Sequence, residues 1–140
     1  MATITYTVTV ATGTNQYSAG ANKFYINGEV SPVLYLQEGN TYIFDQSDSS
    51  NANLLLALSN TKDGTNTTGG VAYTTGVTTT GTSGQAGAKT TIIVAPVRTV
   101  GAPVLFYYSA AFAGMGNTAQ TTPPTSETTE FNPQIDEIIE

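Results

Sequence analysis

The sequence predicts an all-β fold, a β-sandwich with Greek-key connections. Threonine, glycine, serine and asparagine are abundant, and charged residues make up only 10% of the 140 residues, a composition typical of β proteins with many turns. Short apolar runs recur along the chain between turn signals, as strands do in a sandwich. The length suits one domain with one core, which we place at residues 1–119.

The predicted strands follow from alternation and from turn residues. Apolar residues from Ile4 to Val10 alternate with threonines, and this period of two places the two sets on opposite faces of a strand. A short strand at 23–26 ends at Asn27-Gly28, which is a strong hairpin signal. Further strands are predicted at 33–36, 41–45, 54–59, 90–94 and 104–108, the last of them buried on both faces.

The stretch from Asp63 to Gly87 consists almost entirely of Thr, Gly, Ser and Asn. A loop of that length without regular structure is unusual in a compact domain. We therefore predict a long excursion with one or two short edge strands, lying over one side of the sandwich.

The segment after the last predicted strand has the spacing of a copper-binding loop but lacks the strong ligands. In copper-binding β-sandwiches, Cys, His and Met occur on this loop with spacings like those between residues 109, 112 and 115 here. A second His from earlier in the chain completes the site. Here the three positions carry Ser109, Phe112 and Met115, and the chain contains no His and no Cys. Because a thioether alone holds Cu(II) poorly, we predict no metal and no cofactor, with Met115 filling the core.

Three stretches resemble the cupredoxin-like domains of marine cyanobacterial viruses and their hosts: YING at 25–28, FDQSDSSN at 44–51 and GMGN at 114–117. Those domains occur in virion structural and fibre-like proteins, so the resemblance implies a cupredoxin-like fold and a virion location. In many relatives a His-Pro pair begins the leucine-rich strand and the last loop carries Cys and His. The resemblance thus defines the former ligand positions, which are here Leu54, Ser109, Phe112 and Met115. We expect Leu54 and Phe112 to be buried where the metal and its ligands would lie.

Charge and composition exclude several functions. The net charge is −6, which offers no electrostatic surface for nucleic acid. The longest aliphatic run, at 54–58, is too short to span a membrane. Without His there is no ordinary base to activate a serine, so we predict no catalytic residue and no enzymatic activity. Asp45, Asp48 and Asn51 could contribute to a calcium site, although capping of turns is the commoner use of such residues.

Residues 120–140 are predicted to form a linker and a C-terminal tail. Asn132 and Pro133 are typical of a helix start, which predicts a short helix at 133–140. One face of that helix would carry the apolar residues Phe131, Ile135, Ile138 and Ile139. Because so short a helix does not fold alone, either it docks on a partner or the natural chain continues past Glu140.

Together these observations predict a non-enzymatic virion structural protein of a phage, serving as a capsid decoration or as a tail or connector module. Its predicted partners are other virion proteins and further copies of itself in a homo-oligomer, with no nucleic acid and no membrane. Two alternatives stay open. The chain could be a fibre domain that binds glycans or host surfaces through the Thr/Gly-rich loop. It could also be the N-terminal part of a longer head-to-tail connector protein, since FNPQIDEIIE resembles the first helix of such proteins.

Overall fold

Within residues 1–95 and 104–123, which the computed structural model describes, ten β-strands form two mixed sheets that pack face to face. The predicted all-β sandwich is confirmed. The strands are β1 (Thr3–Thr14), β2 (Ala19–Ile26), β3 (Glu29–Val30), β4 (Leu34–Gln37), β5 (Thr41–Asp45), β6 (Leu56–Ser59), β7 (Val77–Thr80), β8 (Lys89–Ile93), β9 (Val104–Ser109) and β10 (Phe112–Thr122).

The larger sheet has six strands in the order β3-β2-β1-β5-β8-β7, with β1 parallel to β5. Strand β1 extends beyond the predicted Val10 because β2 pairs with it as far as Thr14. The turn between them is therefore short, and the amide of Asn15 donates to the carbonyl of Ser18 at 3.0 Å. At the other end of β2, Asn27 and Gly28 have φ angles of 51° and 88°, as a two-residue hairpin turn with two positive φ angles requires.

The smaller sheet has four strands in the order β4-β10-β9-β6, with β4 parallel to β10. The prediction that 104–108 is the last strand is wrong, because β10 follows it and occupies the middle of this sheet. Residues 112–122 contain few large apolar side chains, so their sequence lacks the alternation that predicts a strand. Strand β10 also passes the predicted domain boundary at 119, and Thr121 is buried.

The core lies between the sheets and is made of large apolar side chains from both. Its members with no more than 1% exposed surface include Val8, Phe24, Leu36, Phe44, Leu56, Leu58, Ile92, Leu105, Tyr107 and Met115. Residues 63–87 form an excursion as predicted, with a 3-10 turn at Gly64–Asn66 and β7 as an edge strand.

The predicted docking residues Phe131, Ile135, Ile138 and Ile139, with the predicted helix at 133–140, lie outside the described residues. In the described part of the chain, no helix has the length and apolar character needed to cross a membrane.

Candidate functional site

Two of the four positions that the resemblance compares with copper ligands lie at the hairpin between β9 and β10. Ser109 and Phe112 are direct cross-strand partners, separated by a turn at Ala110 and Ala111. Ser109 is fully buried; its Oγ accepts a hydrogen bond from the amide of Ala111 at 3.3 Å, and its carbonyl accepts one from Asn66 Nδ2 at 2.9 Å. Phe112, by contrast, is 38% exposed. The prediction that Phe112 fills the core is therefore wrong, because the residue lies at the tip of a tight hairpin.

The other two of these four positions, Leu54 and Met115, are closer to the core. Met115 has no exposed surface and belongs to the core cluster, which confirms the prediction that it packs there. Leu54 is half-buried and packs against the cluster from its margin, so it is less buried than expected. With Phe112 outside and Met115 inside, these positions do not form one buried set.

Between Phe112 and Asn117 the register of β10 against β9 shifts, and residues 113–116 form a bulge. A bulge interrupts the ladder, so its backbone groups need other partners. Gly114, whose φ is 81°, lies at the centre of this bulge. Its amide donates to both carboxylate oxygens of Asp63 at 3.1 Å. The bulge is thus held by a side chain from the excursion.

The carbonyl of Gly114 accepts hydrogen bonds from two side chains of the β1–β2 region, Asn15 Nδ2 and Lys23 Nζ, each at 2.9 Å. Lys23 has no exposed surface, and its ammonium also donates to Ser18 Oγ at 2.7 Å. Burial lowers the pKa of Lys23, and the negative charge of Asp63 acts in the opposite sense. One glycine therefore binds an acid through its amide and a buried base through its carbonyl.

The rest of the GMGN stretch is held by the loop between β3 and β4. Ser31 Oγ donates to the carbonyl of Met115 at 2.9 Å, and Asn117 Nδ2 donates to the carbonyl of Ser31 at 2.7 Å. A side chain at Gly116 would place its Cβ 1.7 Å from the carbonyl oxygen of Tyr107. GMGN therefore joins β10 to β9 and to the loop between β3 and β4, and leaves no space for a larger residue at 116.

The FDQSDSSN stretch contains a second buried polar network, centred on Gln46 and Asn51, both with no exposed surface. Gln46 Nε2 donates to Asn51 Oδ1 at 3.1 Å and to the carbonyl of Leu54 at 2.8 Å. Gln46 Oε1 accepts from the amide of Leu56 at 2.8 Å. Asn51 Nδ2 donates to the carbonyl of Val8 at 2.7 Å. The network thus links β1 of the larger sheet to β6 of the smaller one, a role that the sequence did not reveal.

The aspartates of this stretch are engaged by neighbouring serines. Asp45 Oδ1 accepts from the amide and the hydroxyl of Ser47 at 2.9 and 2.7 Å. Asp48 Oδ2 accepts from the amide and the hydroxyl of Ser50 at 3.1 and 2.5 Å. These hydrogen bonds lower the pKa of both carboxyl groups. Across residues 1–95 and 104–123 there is no group of three His, Cys, Asp or Glu side chains that could hold a metal ion.

A cleft of about 290 Å³ opens beside β5 and β8 of the larger sheet. It is lined by Thr5, Ile43, Asp45, Ser47, Gly87, Ala88 and Lys89. Asp45 and Lys89 are cross-strand partners in this lining. These hydroxyl, carboxylate and ammonium groups can hydrogen-bond a polar ligand.

Each of the three stretches that carry the resemblance therefore has a structural explanation. YING makes a hairpin turn, FDQSDSSN joins the two sheets, and GMGN forms the bulge that hydrogen bonds from other segments stabilise. The chain matches no protein-family model, no curated protein and no solved structure. Inference about function therefore depends on the residues themselves and their contacts.

Proposed function

We propose that this chain is a non-enzymatic structural module of a phage virion, with a metal-free, Greek-key, cupredoxin-like fold. The observation that supports this proposal best is that the most distinctive polar side chains form hydrogen bonds within the protein. Lys23, Asp63, Gln46 and Asn51 all bind the protein's own backbone. Side chains used in this way stabilise a shape and present no chemistry to a substrate.

The former ligand positions support the same proposal. A trigonal copper site needs a thiolate and two imidazoles, and this sequence has neither residue type. Ser109 Oγ instead accepts a hydrogen bond within its own turn, and Met115 packs in the core. Such a domain would act through its surface, by contacts with other virion proteins and with copies of itself.

Quantitative mass spectrometry of purified phage particles tests this proposal. The chain should be present in a fixed number of several copies per particle, because a structural module occupies symmetry-related positions. Its presence in infected cells together with its absence from purified particles would overturn the proposal.

A second candidate function, glycan binding by a fibre domain, is favoured by the cleft beside β5 and β8. Gly87, the last residue of the Thr/Gly-rich excursion, and the next residue, Ala88, line this cleft together with Asp45 and Lys89. A glycan array probed with the chain and with Asp45→Ala tests this candidate. Binding that is lost in the variant would favour it over a purely structural role.

A further inference from the structure

The outer face of the four-stranded sheet is covered at one end by the chain's own excursion. Tyr108, on this face of β9, is only 2% exposed. Gly64 lies so close to it that an added Cβ would be 2.4 Å from the ring. Beside it, Ser59 Oγ donates to the carbonyl of Val71 at 2.5 Å. This half of the face is therefore packed like an interior.

The other half of the same face carries apolar side chains that are exposed or only half-buried. Tyr35 of β4, Gln120 of β10 and Val104 of β9 are neighbours across three strands. Tyr35 is 65% exposed and Val104 is 41% exposed, with Phe106 half-buried in the next row. We name Tyr35, Val104 and Phe106 the sheet patch. An exposed apolar patch of this kind marks a surface that contacts another apolar surface.

We propose that the sheet patch binds the apolar side chains of the C-terminal segment, Phe131, Ile135, Ile138 and Ile139, from a neighbouring copy of the chain. This inference rests on the proposed assembly role. The patch side of the contact carries no charge, since the residues beside the patch on β10 are Thr118, Gln120 and Thr122. The five acids of the last twenty residues would stay in solvent at its rim.

The place where the chain leaves the sandwich favours this contact. Thr122, the last residue of β10, pairs with Gln37, and its carbonyl accepts from the amide of Glu38 at 2.8 Å. The C-terminal segment thus starts at the sheet that carries the patch. Residues 123–130 separate Thr122 from Phe131, and eight residues reach at most about 29 Å.

The direction of the exit favours a neighbouring copy over the same copy. The row of Tyr35, Gln120 and Val104 lies behind the end of β10, so a chain that bound its own patch would have to turn back between Thr122 and Phe131. Pro123 and Pro124 follow Thr122 in the sequence, and consecutive prolines favour extended backbone. A continuation with this preference would lead away from the chain's own patch, which favours the next copy as the one that binds the segment.

Disulfide trapping tests this proposal without competing thiols, because the chain has no cysteine. Gln120→Cys places a thiol in the centre of the patch, and Gln134→Cys places one beside Ile135. Neither substitution removes an apolar residue of the proposed contact. The two single variants are purified as full chains, mixed, oxidised and analysed by intact mass. We expect heterodimers to form several times faster than with Thr78→Cys, a matched control on the exposed edge strand β7.

Three further results decide the proposal. Adding Tyr35→Ser to the Gln120→Cys chain should slow trapping to the control rate, since it removes the most exposed patch residue. Equal trapping rates at 120 and at 78 would overturn the proposal. A monomer that loses two hydrogens in the double variant Gln120→Cys/Gln134→Cys, without heterodimers in the mixture, would also overturn it. If the chain is found in purified particles but no heterodimers are trapped, this contact is contradicted and the virion role is not. If heterodimers are trapped but the chain is absent from particles, the virion role is contradicted and this contact is not.

Discussion

Gln46→Glu is the most informative single change in this protein, because it replaces one buried nitrogen by oxygen at constant shape. In the native chain Gln46 Nε2 donates to Asn51 Oδ1 and to the carbonyl of Leu54. In the variant both acceptors would face an oxygen. A protonated glutamic acid can still satisfy one of them, so one buried acceptor loses its donor at a cost of about 1–3 kcal/mol.

The cost should grow with pH. Position 46 has no exposed surface, and burial raises the pKa of a carboxyl group by about 3 units. The folded state then holds its proton above pH 4.3, where the unfolded chain releases it, so stability falls as pH rises through this range. At 1.36 kcal/mol per unit, the additional loss between pH 4 and pH 7.5 is about 4 kcal/mol.

Urea denaturation at pH 4 and pH 7.5 measures both effects. The chain has no Trp but eight Tyr, so far-UV circular dichroism and tyrosine fluorescence can follow unfolding. The matched control is Gln85→Glu, which makes the same chemical change at an exposed residue and should shift stability by less than about 0.5 kcal/mol. A Gln46→Glu chain that is as stable as the control at pH 7.5 would refute the buried network.

Three other predictions follow from burial, charge and backbone geometry. Met115→Ala should lower the free energy of unfolding by about 2–5 kcal/mol and Phe112→Ala by less than about 1 kcal/mol, since Met115 is fully buried and Phe112 lies at the hairpin tip. Equal losses for the two variants in urea denaturation would contradict this prediction. The pKa of Asp45 is lowered in the folded state, so the ionised carboxylate should stabilise the fold above about pH 4, and this stabilisation should disappear in more acidic solution. Asp45→Asn should abolish this part of the acid dependence of stability. The same dependence of stability on acid in the variant as in the parent would contradict the prediction. Gly64→Ala should destabilise the chain strongly, because its φ is 55° and the new methyl group would meet the ring of Tyr108; a stability equal to the parent would contradict the packing.

The parts of the fold that were predictable are those set by local residue patterns. The predicted strand at 41–45 has the bounds of β5, because its alternation agrees with burial on one face. Asn27-Gly28 identified a hairpin because few other dipeptides accept two positive φ angles. The general nature of the excursion at 63–87 followed from its composition.

The parts that were not predictable depend on contacts between distant segments. Strand β10 is rich in small residues and is defined by its pairing with β9 and β4. The burial of Lys23 depends on Ser18 and on a carbonyl of β10, which no local pattern reveals. The prediction for Phe112 was wrong because the resemblance put this residue at the position of a buried metal ligand, whereas here it follows a turn immediately.

Thermal unfolding of the purified chain with and without excess Cu(II) or Zn(II) tests most directly the central claim, that this sandwich is a structural module that works without a metal. A ligand that binds only the folded state raises the melting temperature by mass action. We predict the same melting temperature in either metal as in a chelator-treated control. A reproducible rise that grows with metal concentration would contradict the claim.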